Sequence, residues 1–473
     1  MASKTADIFL KTYPIERVND VLNEDLNNSN LVEENIVKHD QVENLFIDEE
    51  DFVNENGAFT AKLRLYPNEE GPAAAAFYGL AGEVVRIIDP HTEADPMATL
   101  ITFLTAYGNI IGDSAHFTAA ARKHPARIFA VVVGATGKGR KGTSLSPVRL
   151  IFNAIEPMWE QDHMLSGMSS GEGLIYAVRD EEIKNGEIVD EGIEDKRVLV
   201  VEEEFGKVLR IANRVGNTLS AIVREFWDTG SPRTLTKHPM KATNAHLSIL
   251  GQITQDELKK EISNVDLVNG FANRFLWLMV ERSKLLPSGG AFHEMDISSL
   301  VNKIKSAVKF GSTAGELKRD KETEQLWGKV YGPLSTGTGG VIGAVTSRAE
   351  AQTMRLACIY ALLDESHEIK VIHLKAALDL WKYCFRSARF IFGKQGILKN
   401  SRAIKLLDEL KFRKDSGKDG MTRNEVREFY NKNLCKNEID QIVEDLLSNG
   451  FIRVDSVRKE GVKKPITKIT LTD

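Results

Sequence analysis

The spacing of apolar and polar residues divides the chain into regions of different expected structure. Residues 1–70 are rich in Asn and acidic residues with scattered apolar positions, which predicts a loosely ordered N-terminal arm. In residues 71–125 the apolar positions recur at helical spacing, which predicts an N-terminal helical region. Residues 127–133, RIFAVVV, form a short β-branched run that ends at a glycine. Such a run is typical of a buried parallel strand.

Residues 126–290 alternate between strand-like and helix-like segments. Further strands are predicted at KRVLVVEEEF, AHLSILGQI and RFLWLMVE, with helical stretches between them. Strands separated by helices indicate a parallel sheet with helices on its faces. Residues 291–398 have a mostly helical pattern, interrupted by STGTGG at 335–340. The predicted fold class is therefore α/β, with a parallel-sheet core and flanking helical regions.

Residues 399–473 predict a separate C-terminal domain. Thr422 and Glu425 have the spacing of a capping box, and two alternating segments around Glu460-Gly461 predict a β-hairpin. The apolar spacing fits three helices, at residues 402–413, 423–432 and 437–448. Three helices followed by a hairpin are typical of a winged-helix domain.

Charge is distributed unevenly along the chain, whose net charge is −5. Residues 1–60 carry 14 acidic and 4 basic residues, so the rest of the chain has a net charge of +5. An acidic arm before a mildly basic body is compatible with DNA binding.

The three cysteines lack C-x-x-C spacing, which argues against a zinc site or disulfides and favours a cytoplasmic protein. No apolar run is long enough for a membrane span, and no secretory signal is evident.

A glycine-rich segment follows the first predicted strand and precedes a predicted helix, which is the context of a phosphate-binding loop. Its backbone N–H groups would surround phosphate oxygens, a lysine would neutralise the β and γ oxygens, and a hydroxyl would hold Mg²⁺. The segment consists of Gly134, Ala135, Thr136, Gly137, Lys138, Gly139, Arg140, Lys141, Gly142, Thr143 and Ser144. If Lys141 is aligned with the lysine of the motif G-x-x-x-x-G-K-[ST], the loop is one residue too long. We predict Lys141 as the phosphate lysine and Thr143 or Ser144 as the Mg²⁺ ligand; a basic surface turn is the structural alternative.

Carboxylates follow the next predicted strand of the core. Four apolar residues, 198–201, lead directly into Glu202, Glu203 and Glu204, as in a Walker B motif. One carboxylate would bind in the Mg²⁺ shell and the next would polarise the attacking water. We predict Glu202 as the metal ligand. Strand alternation would place Glu202 and Glu204 on one face, so its partner is either Glu203 or Glu204. A solvated acidic turn is the structural alternative.

Other polar residues are candidates for supporting roles. Gln252 or Thr254, at the end of a later strand, would orient the water or cap the next helix. His91 and Glu93 are too few for a metal site and favour a structural loop. Residues 232–244 form a basic segment between a helix and a strand. The candidate DNA-binding cations are Arg233, Lys237 and Lys241 in that segment, and Arg423, Arg427, Arg458, Lys459, Lys463 and Lys464 in the C-terminal domain.

From about residue 72 to 395 the chain resembles a family of replication-associated ATPases carried on plasmids, phages and genomic islands, often fused or adjacent to primases. The resemblance lies in GLAGEVVRIIDPHTEADP, GATGKGRKGTS, SSGEGLIYAVRD, VLVVEEEF, GNTLSAIVREFWD, GFANRFLWLMVERSK and SRAEAQTMRLACIYALLD. Members of that family share the R-K-G-T-S loop. The middle acid of the Glu202–Glu204 trio varies among them, which favours Glu202 and Glu204 as the working pair. The resemblance implies a P-loop ATPase core of the AAA+ or RecA-like class that uses ATP and Mg²⁺.

A more distant similarity is to the MCM replicative helicases. Asn273-Arg274-Phe275 and Ser347-Arg348-Ala349-Glu350 occur in the order of their arginine-finger and sensor segments. This similarity implies that Arg274 reaches the nucleotide of a neighbouring subunit and that Arg348 contacts the γ-phosphate. It also implies that residues 232–244 form a hairpin that grips single-stranded DNA. The structural alternatives are a helix-to-strand salt bridge for Arg274, a solvated helix arginine for Arg348 and a basic surface loop for residues 232–244.

These observations favour an ATP-dependent DNA motor of a mobile genetic element, either a ring-forming replicative helicase or a helicase loader. It would act on single-stranded or forked DNA as a homo-oligomer, most simply a hexamer, with a primase or replication initiator as partner. The alternative is a nucleotide-regulated DNA-binding or phage-defence ATPase without unwinding activity. A small-molecule kinase is a third hypothesis, because K-G-T-S also occurs in nucleotide kinases.

Overall fold

The computed structural model describes residues 74–134, 141–237, 239–337, 340–393, 401–418, 420–430, 432–448, 451–457 and 466–471. The predicted N-terminal arm, residues 1–70, lies outside the described residues. So do the loop residues Ala135, Thr136, Gly137, Lys138, Gly139 and Arg140 and the hairpin cations Arg458, Lys459, Lys463 and Lys464.

A parallel sheet forms the centre of residues 74–393. Its strands are β3 (Phe129–Gly134), β4 (Met164–Leu165), β7 (Arg197–Glu202), β8 (His246–Thr254) and β9 (Leu276–Val280). They pair in the order β4-β7-β8-β3-β9, and every pairing is parallel. The short strands outside this sheet are β1 (His116–Ala119), β2 (Arg122–Pro125), β5 (Glu182–Lys184), β6 (Glu187–Asp190), β10 (Lys318–Arg319) and β11 (Glu368–Ile369).

Helices cover the sheet and build the rest of this region. Those that precede β9 are α1 (Gly79–Ile88), α2 (Pro96–Ile110), α3 (Leu145–Ile155), α4 (Trp159–His163), α5 (Gly171–Tyr176), α6 (Phe205–Ala212), α7 (Leu219–Asp228), α8 (Gln255–Glu261) and α9 (Asn264–Val268). Those that follow are α10 (Ser298–Gly311), α11 (Lys321–Thr336), α12 (Gly340–Thr346), α13 (Ala349–Leu363) and α14 (Val371–Phe392). Among the described helices, none combines the length and apolar character that crossing a membrane requires.

The core strands are apolar because helices cover both faces of the sheet. Every residue of β3 and β9 is buried. Helix α2 packs against β3, β7, β8 and β9, and all of its residues are buried as well. Two of its three threonines have partners for their hydroxyls: Thr102 Oγ1 donates to the carbonyl of Ala98 at 2.7 Å, and Thr99 Oγ1 donates to that of Asp95 at 3.5 Å. Thr105 Oγ1 has no partner among the described residues. The predicted α/β class with a parallel sheet is confirmed.

The main departure from the predicted elements is the hairpin of β1 and β2, which lies in a region predicted to be helical. Its turn residues, Ala120 and Ala121, have φ values of 46° and 61°. Alanine favours helices and gives no turn signal, so the left-handed turn is invisible to sequence patterns. The hairpin of β5 and β6 also went unpredicted, although Asn185-Gly186 at its turn is a recognised hairpin signal.

Residues 401–471 fold around a core of their own. Three helices, α15 (Ser401–Asp415), α16 (Arg423–Phe429) and α17 (Lys436–Ser448), pack with strands β12 (Met421–Thr422), β13 (Ile452–Val457) and β14 (Ile466–Leu471). The strands form an antiparallel sheet in the order β12-β14-β13. The predicted capping box is confirmed, because Thr422 Oγ1 accepts from the N–H of Glu425 while the Glu425 carboxylate accepts from that of Thr422.

Candidate functional site

The carboxyl-terminal edge of the sheet brings the predicted loop and the predicted acids to the same side of the molecule. Gly134 at the end of β3 pairs with Thr254 of β8, and Glu202 at the end of β7 pairs with Gly251 of the same strand. Because β8 separates β3 from β7, Glu202 lies two strand spacings, about 10 Å, from β3. A ligand bound beyond the end of β3 would therefore face the end of β7 across β8.

Gln252 of β8 is directed at the turn that follows the loop. Its side chain is 2% exposed, and a Cβ placed on Gly142 would lie 3.3 Å from its Oε1. Its Nε2 has no hydrogen-bond partner among the described residues. Burying an amide N–H without a hydrogen bond costs free energy, so such groups usually have a partner. Gln252 is therefore suited to contact a ligand or water held by the loop. Thr254 instead caps α8, where its Oγ1 accepts from the N–H of Glu257 at 3.3 Å.

Strand β7 ends at Glu202, whose carboxylate is fixed by backbone donors. Its Oε1 accepts from the N–H groups of Gly167 at 2.7 Å and Met168 at 2.6 Å. The residue is 6% exposed, and this burial raises its pKa above the ordinary value, although both N–H groups favour the ionised form. Because the strand stops here, the predicted alternation does not extend to Glu204. Glu203 and Glu204 lie in an exposed turn before α6.

These three carboxylates line one cleft of about 470 Å³ together with Lys207, Arg149 and Glu160. Glu202 is held in place at the wall of the cleft, whereas Glu203 and Glu204 are exposed to solvent. The cleft thus offers one positioned carboxylate and two exposed ones at the edge of the sheet where β3 also ends. A carboxylate positioned in this way can polarise a water molecule. Among the described residues, no three or more His, Cys, Asp or Glu side chains are grouped so that they could hold a metal ion by themselves.

The two predicted hydroxyl ligands differ in accessibility. Lys141–Ser144 form a 3₁₀ turn that leads into α3. Ser144 is completely buried, and its Oγ lies 3.3 Å from Thr102 Oγ1 of α2. Thr143 is half-buried. Hydroxyl and carboxylate oxygens are the ligands Mg²⁺ prefers, and the ion usually takes only one or two from the protein beside those of phosphate and water. The donors at this edge therefore fit Mg²⁺ with a nucleotide, and Thr143 is the more accessible hydroxyl.

The opposite, amino-terminal edge of the sheet carries a group of arginines around Trp227 and Asp228, at the end of α7. Arg274, just before β9, is 7% exposed and donates to Asp228 Oδ2 at 2.6 Å. Arg348, just before α13, lies 3.9 Å from Asp228 Oδ1, and its guanidinium is 5.6 Å from the Trp227 ring. Partial burial and the charge of Arg274 lower the pKa of Arg348. The two predicted nucleotide arginines thus share one carboxylate.

Two further arginines of this cluster are structural. Arg355 is fully buried, donates to the carbonyls of Arg127 and Trp227 at 2.9 Å each, and lies 3.8 Å from the Trp227 ring centroid. Arg127 donates to the carbonyls of Phe226 at 2.6 Å and Ala245 at 3.0 Å. Burial lowers the pKa of Arg127 to about 10 and that of Arg355 well below its ordinary value. Sequence patterns missed Arg127, since it lies beside an ordinary apolar strand.

We expect Arg355→Ala to destabilise the fold. It opens a cavity and removes one donor from each of two buried carbonyls, of which that of Trp227 keeps a 3.3 Å bond from Arg127. These losses together should lower the free energy of unfolding by about 2–5 kcal/mol. Thermal unfolding checks this, with Arg214→Ala, an exposed arginine, as the control that should leave the midpoint within about a degree. Equal midpoints for the two variants would contradict the structural role of Arg355.

The basic segment between α7 and β8 folds back on itself. Arg233 pairs with Lys241 in an antiparallel bridge, and the N–H of Thr234 donates to the carbonyl of Met240 at 2.8 Å. At the tip, Leu235 is 91% exposed and Lys237 is exposed as well. Lys241 lies 3.6 Å from Asp180 Oδ2, at the base of the acidic hairpin formed by β5 and β6. All three predicted cations are exposed, and Lys241 is paired with this carboxylate.

The C-terminal unit presents its predicted cations unevenly. Arg423 donates to Asp440 at 2.5 Å, whereas Arg427 is exposed. The exposed face of α17 carries Glu438 and Glu444. A helix face with exposed carboxylates would present negative charge to DNA phosphates.

The sequence matches no known protein-family profile, and it matches no characterised protein at a significant level. The site must therefore be interpreted from its own geometry.

Proposed function

We propose that this protein is a P-loop ATPase of the AAA+ or RecA-like class, which works as a DNA motor in a ring of identical subunits. The observation that supports this most strongly is that the buried amide of Gln252 lies against the 3₁₀ turn of the loop, at the same edge of the sheet that carries the acids after β7. A turn that follows a buried parallel strand and opens a helix is suited to bind phosphate.

In this proposal, the triphosphate lies at residues 134–144 with its γ-phosphate toward β7. One water attacks the γ-phosphorus, the bond to the β–γ bridging oxygen breaks, and ADP and phosphate leave. Glu202, which is fixed by two N–H groups, belongs to the metal shell, and Glu204 or Glu203 accepts the water proton. Gln252 orients the water. Bound Mg²⁺ would neutralise charge on the phosphate oxygens.

The arginine pair supports action between subunits. β3 has six residues, so the two edges of the sheet are roughly 20 Å apart, which is longer than an arginine side chain. Arg274 and Arg348 at the amino-terminal edge therefore cannot reach the phosphate loop of their own subunit. In a head-to-tail ring the half-exposed Arg348 would face the nucleotide of a neighbour, and the buried Arg274 would reach it on leaving Asp228, which would hold both between turnovers.

The proposed DNA contact is the folded-back segment 232–242, with Arg233 and Lys237 gripping phosphates without reading sequence. We propose the winged-helix fold for the C-terminal unit, with the exposed Arg427 rather than α17 as its candidate for DNA contact. The decisive measurement is ATP turnover with and without single-stranded DNA, together with the particle mass in the presence of nucleotide.

Replacing both Arg233 and Lys237 with alanine should remove stimulation by single-stranded DNA and leave basal turnover unchanged. Each lost phosphate contact should reduce the slope of the logarithm of the DNA-binding constant against the logarithm of salt concentration by about one. A matched control removes two exposed cations elsewhere, Lys184 and Arg214, and should keep the stimulation. Stimulation that survives in the Arg233/Lys237 variant would contradict the assignment of this segment.

A second candidate function is an ATPase that uses nucleotide only to assemble or to switch a partner. The acidic exposed face of α17 and the acidic residues of the β5–β6 hairpin favour it, because both would repel DNA. In that case single-stranded DNA would leave ATP turnover unchanged, and no strand displacement would occur.

A further inference from the structure

A second cavity, of about 480 Å³, lies beside α3 and shares a residue with the phosphate-binding turn. Three segments enclose it: residues 91–93 after α1, the turn and first half of α3, and residues 286–293 after β9. Thr143 belongs both to the 3₁₀ turn and to the cavity wall. The volume is within the usual range for small-molecule pockets, about 300–1,000 Å³.

The walls of this cavity are mainly apolar and include aromatic rings. Pro147 and Leu150 of α3 face Leu286 and Phe292 of the segment after β9. The rings of His91 and Phe292 lie 6.4 Å apart between centroids. Leu150 is 46% exposed, which is unusual for a leucine in a helix that otherwise packs on the core, and leaves its side chain available to a ligand.

Hydrogen bonds between the segment after β9 and the segment after α1 hold the cavity open. Arg282 donates to Glu93 at 2.5 Å, and the N–H of Leu286 donates to the same carboxylate oxygen at 2.8 Å. Lys284 donates to the carbonyl of Asp89 at 2.7 Å. Gly290 lies so close that a Cβ on it would be 1.7 Å from the carbonyl oxygen of His91. The loop around His91 and Glu93 was predicted to be structural, and its bonds to the segment after β9 fix one wall of this cavity.

We propose that this cavity binds the base and ribose of the nucleotide whose phosphates lie at residues 134–144, an inference that rests on the proposed function. Thr143 makes the two sites continuous, so a ligand anchored at the turn extends along α3 into the cavity. Among the described residues that line it, none is a lysine or arginine, so the walls favour an uncharged aromatic ring over a phosphate. Leu150, Leu286 and Phe292 would contact the faces of the base.

The test separates base binding from phosphate binding. Calorimetry measures the affinity of the full-length protein for ATP and for inorganic tripolyphosphate, both with Mg²⁺. Leu150→Trp and Ser146→Trp each fill the cavity from an exposed position on α3. Both should weaken ATP binding roughly 10- to 100-fold and leave tripolyphosphate binding unchanged, because stacking of a base contributes that much. The control Val215→Trp, at a fully exposed site outside the cavity, should alter neither affinity.

The outcomes distinguish the two proposals. If the parental protein binds ATP no better than tripolyphosphate, or if the tryptophan variants keep parental ATP affinity with parental thermal stability, the base-binding cavity is wrong and the phosphate site stands. If the parental protein binds neither ligand, the proposed function fails and this inference fails with it.

Discussion

Lys141→Ala is expected to abolish ATP hydrolysis, lowering the turnover rate by at least about 100-fold, as loss of one positioned charge donor typically does. The reason is that the lysine after a glycine-rich loop neutralises charge that develops on the β and γ oxygens. Lys141 stands at the start of the 3₁₀ turn that precedes α3, so its backbone lies at the amino-terminal end of a helix. Steady-state phosphate release measures the effect.

Matched variants of the same loop decide which cation is used. If Lys141 is the phosphate lysine, Lys138→Ala and Arg140→Ala should keep substantial activity. Arg140 is tested because the loop is one residue longer than the usual motif, which places Arg140 at the usual position of the lysine. Parental turnover in Lys141→Ala would reject this assignment. Loss of activity in Arg140→Ala alone would assign the phosphate-binding role to Arg140 instead of Lys141.

Arg274→Ala is expected to lower ATP turnover by about 10³-fold or more while sparing nucleotide binding, as removal of an arginine finger does. The side chain lies at the amino-terminal edge and is bound to Asp228, so it is too far from its own phosphate loop to act there. Turnover and calorimetric ATP affinity, measured on the same preparation, separate loss of catalysis from loss of binding. Arg274→Lys is the conservative control and should recover only part of the rate, since lysine lacks the planar fork.

Mixing two inactive variants tests whether the site is shared. Glu202→Gln should be inactive by itself because its own catalytic edge is damaged. In a random one-to-one mixture with Arg274→Ala, about one head-to-tail interface in four would combine an intact Glu202 with an intact neighbouring Arg274. Partial recovery of ATP turnover is the expected result. A mixture as inactive as either variant, although its particle mass shows mixed rings, would contradict action between subunits.

Several elements of the site followed from local sequence patterns. The apolar runs of β3, β7, β8 and β9 could be recognised because a strand covered on both faces has few polar residues. The capping box at Thr422 and Glu425 depends on residues three positions apart, so it too could be predicted. The hairpin at Ala120-Ala121 could not, because its left-handed turn contains helix-favouring residues.

The sequence by itself determined the α/β class, the positions of four of the five strands of the sheet and the glycine-rich segment, because each depends on neighbouring residues and their periodicity. The tertiary structure alone decided that β8 lies between β3 and β7, which directs Gln252 at Gly142 while Thr254 caps a helix. It also placed Arg274 beside Asp228 and joined three distant segments around one cavity. These contacts link residues far apart in the chain, and their partners are set by strand order and packing, which local patterns do not encode.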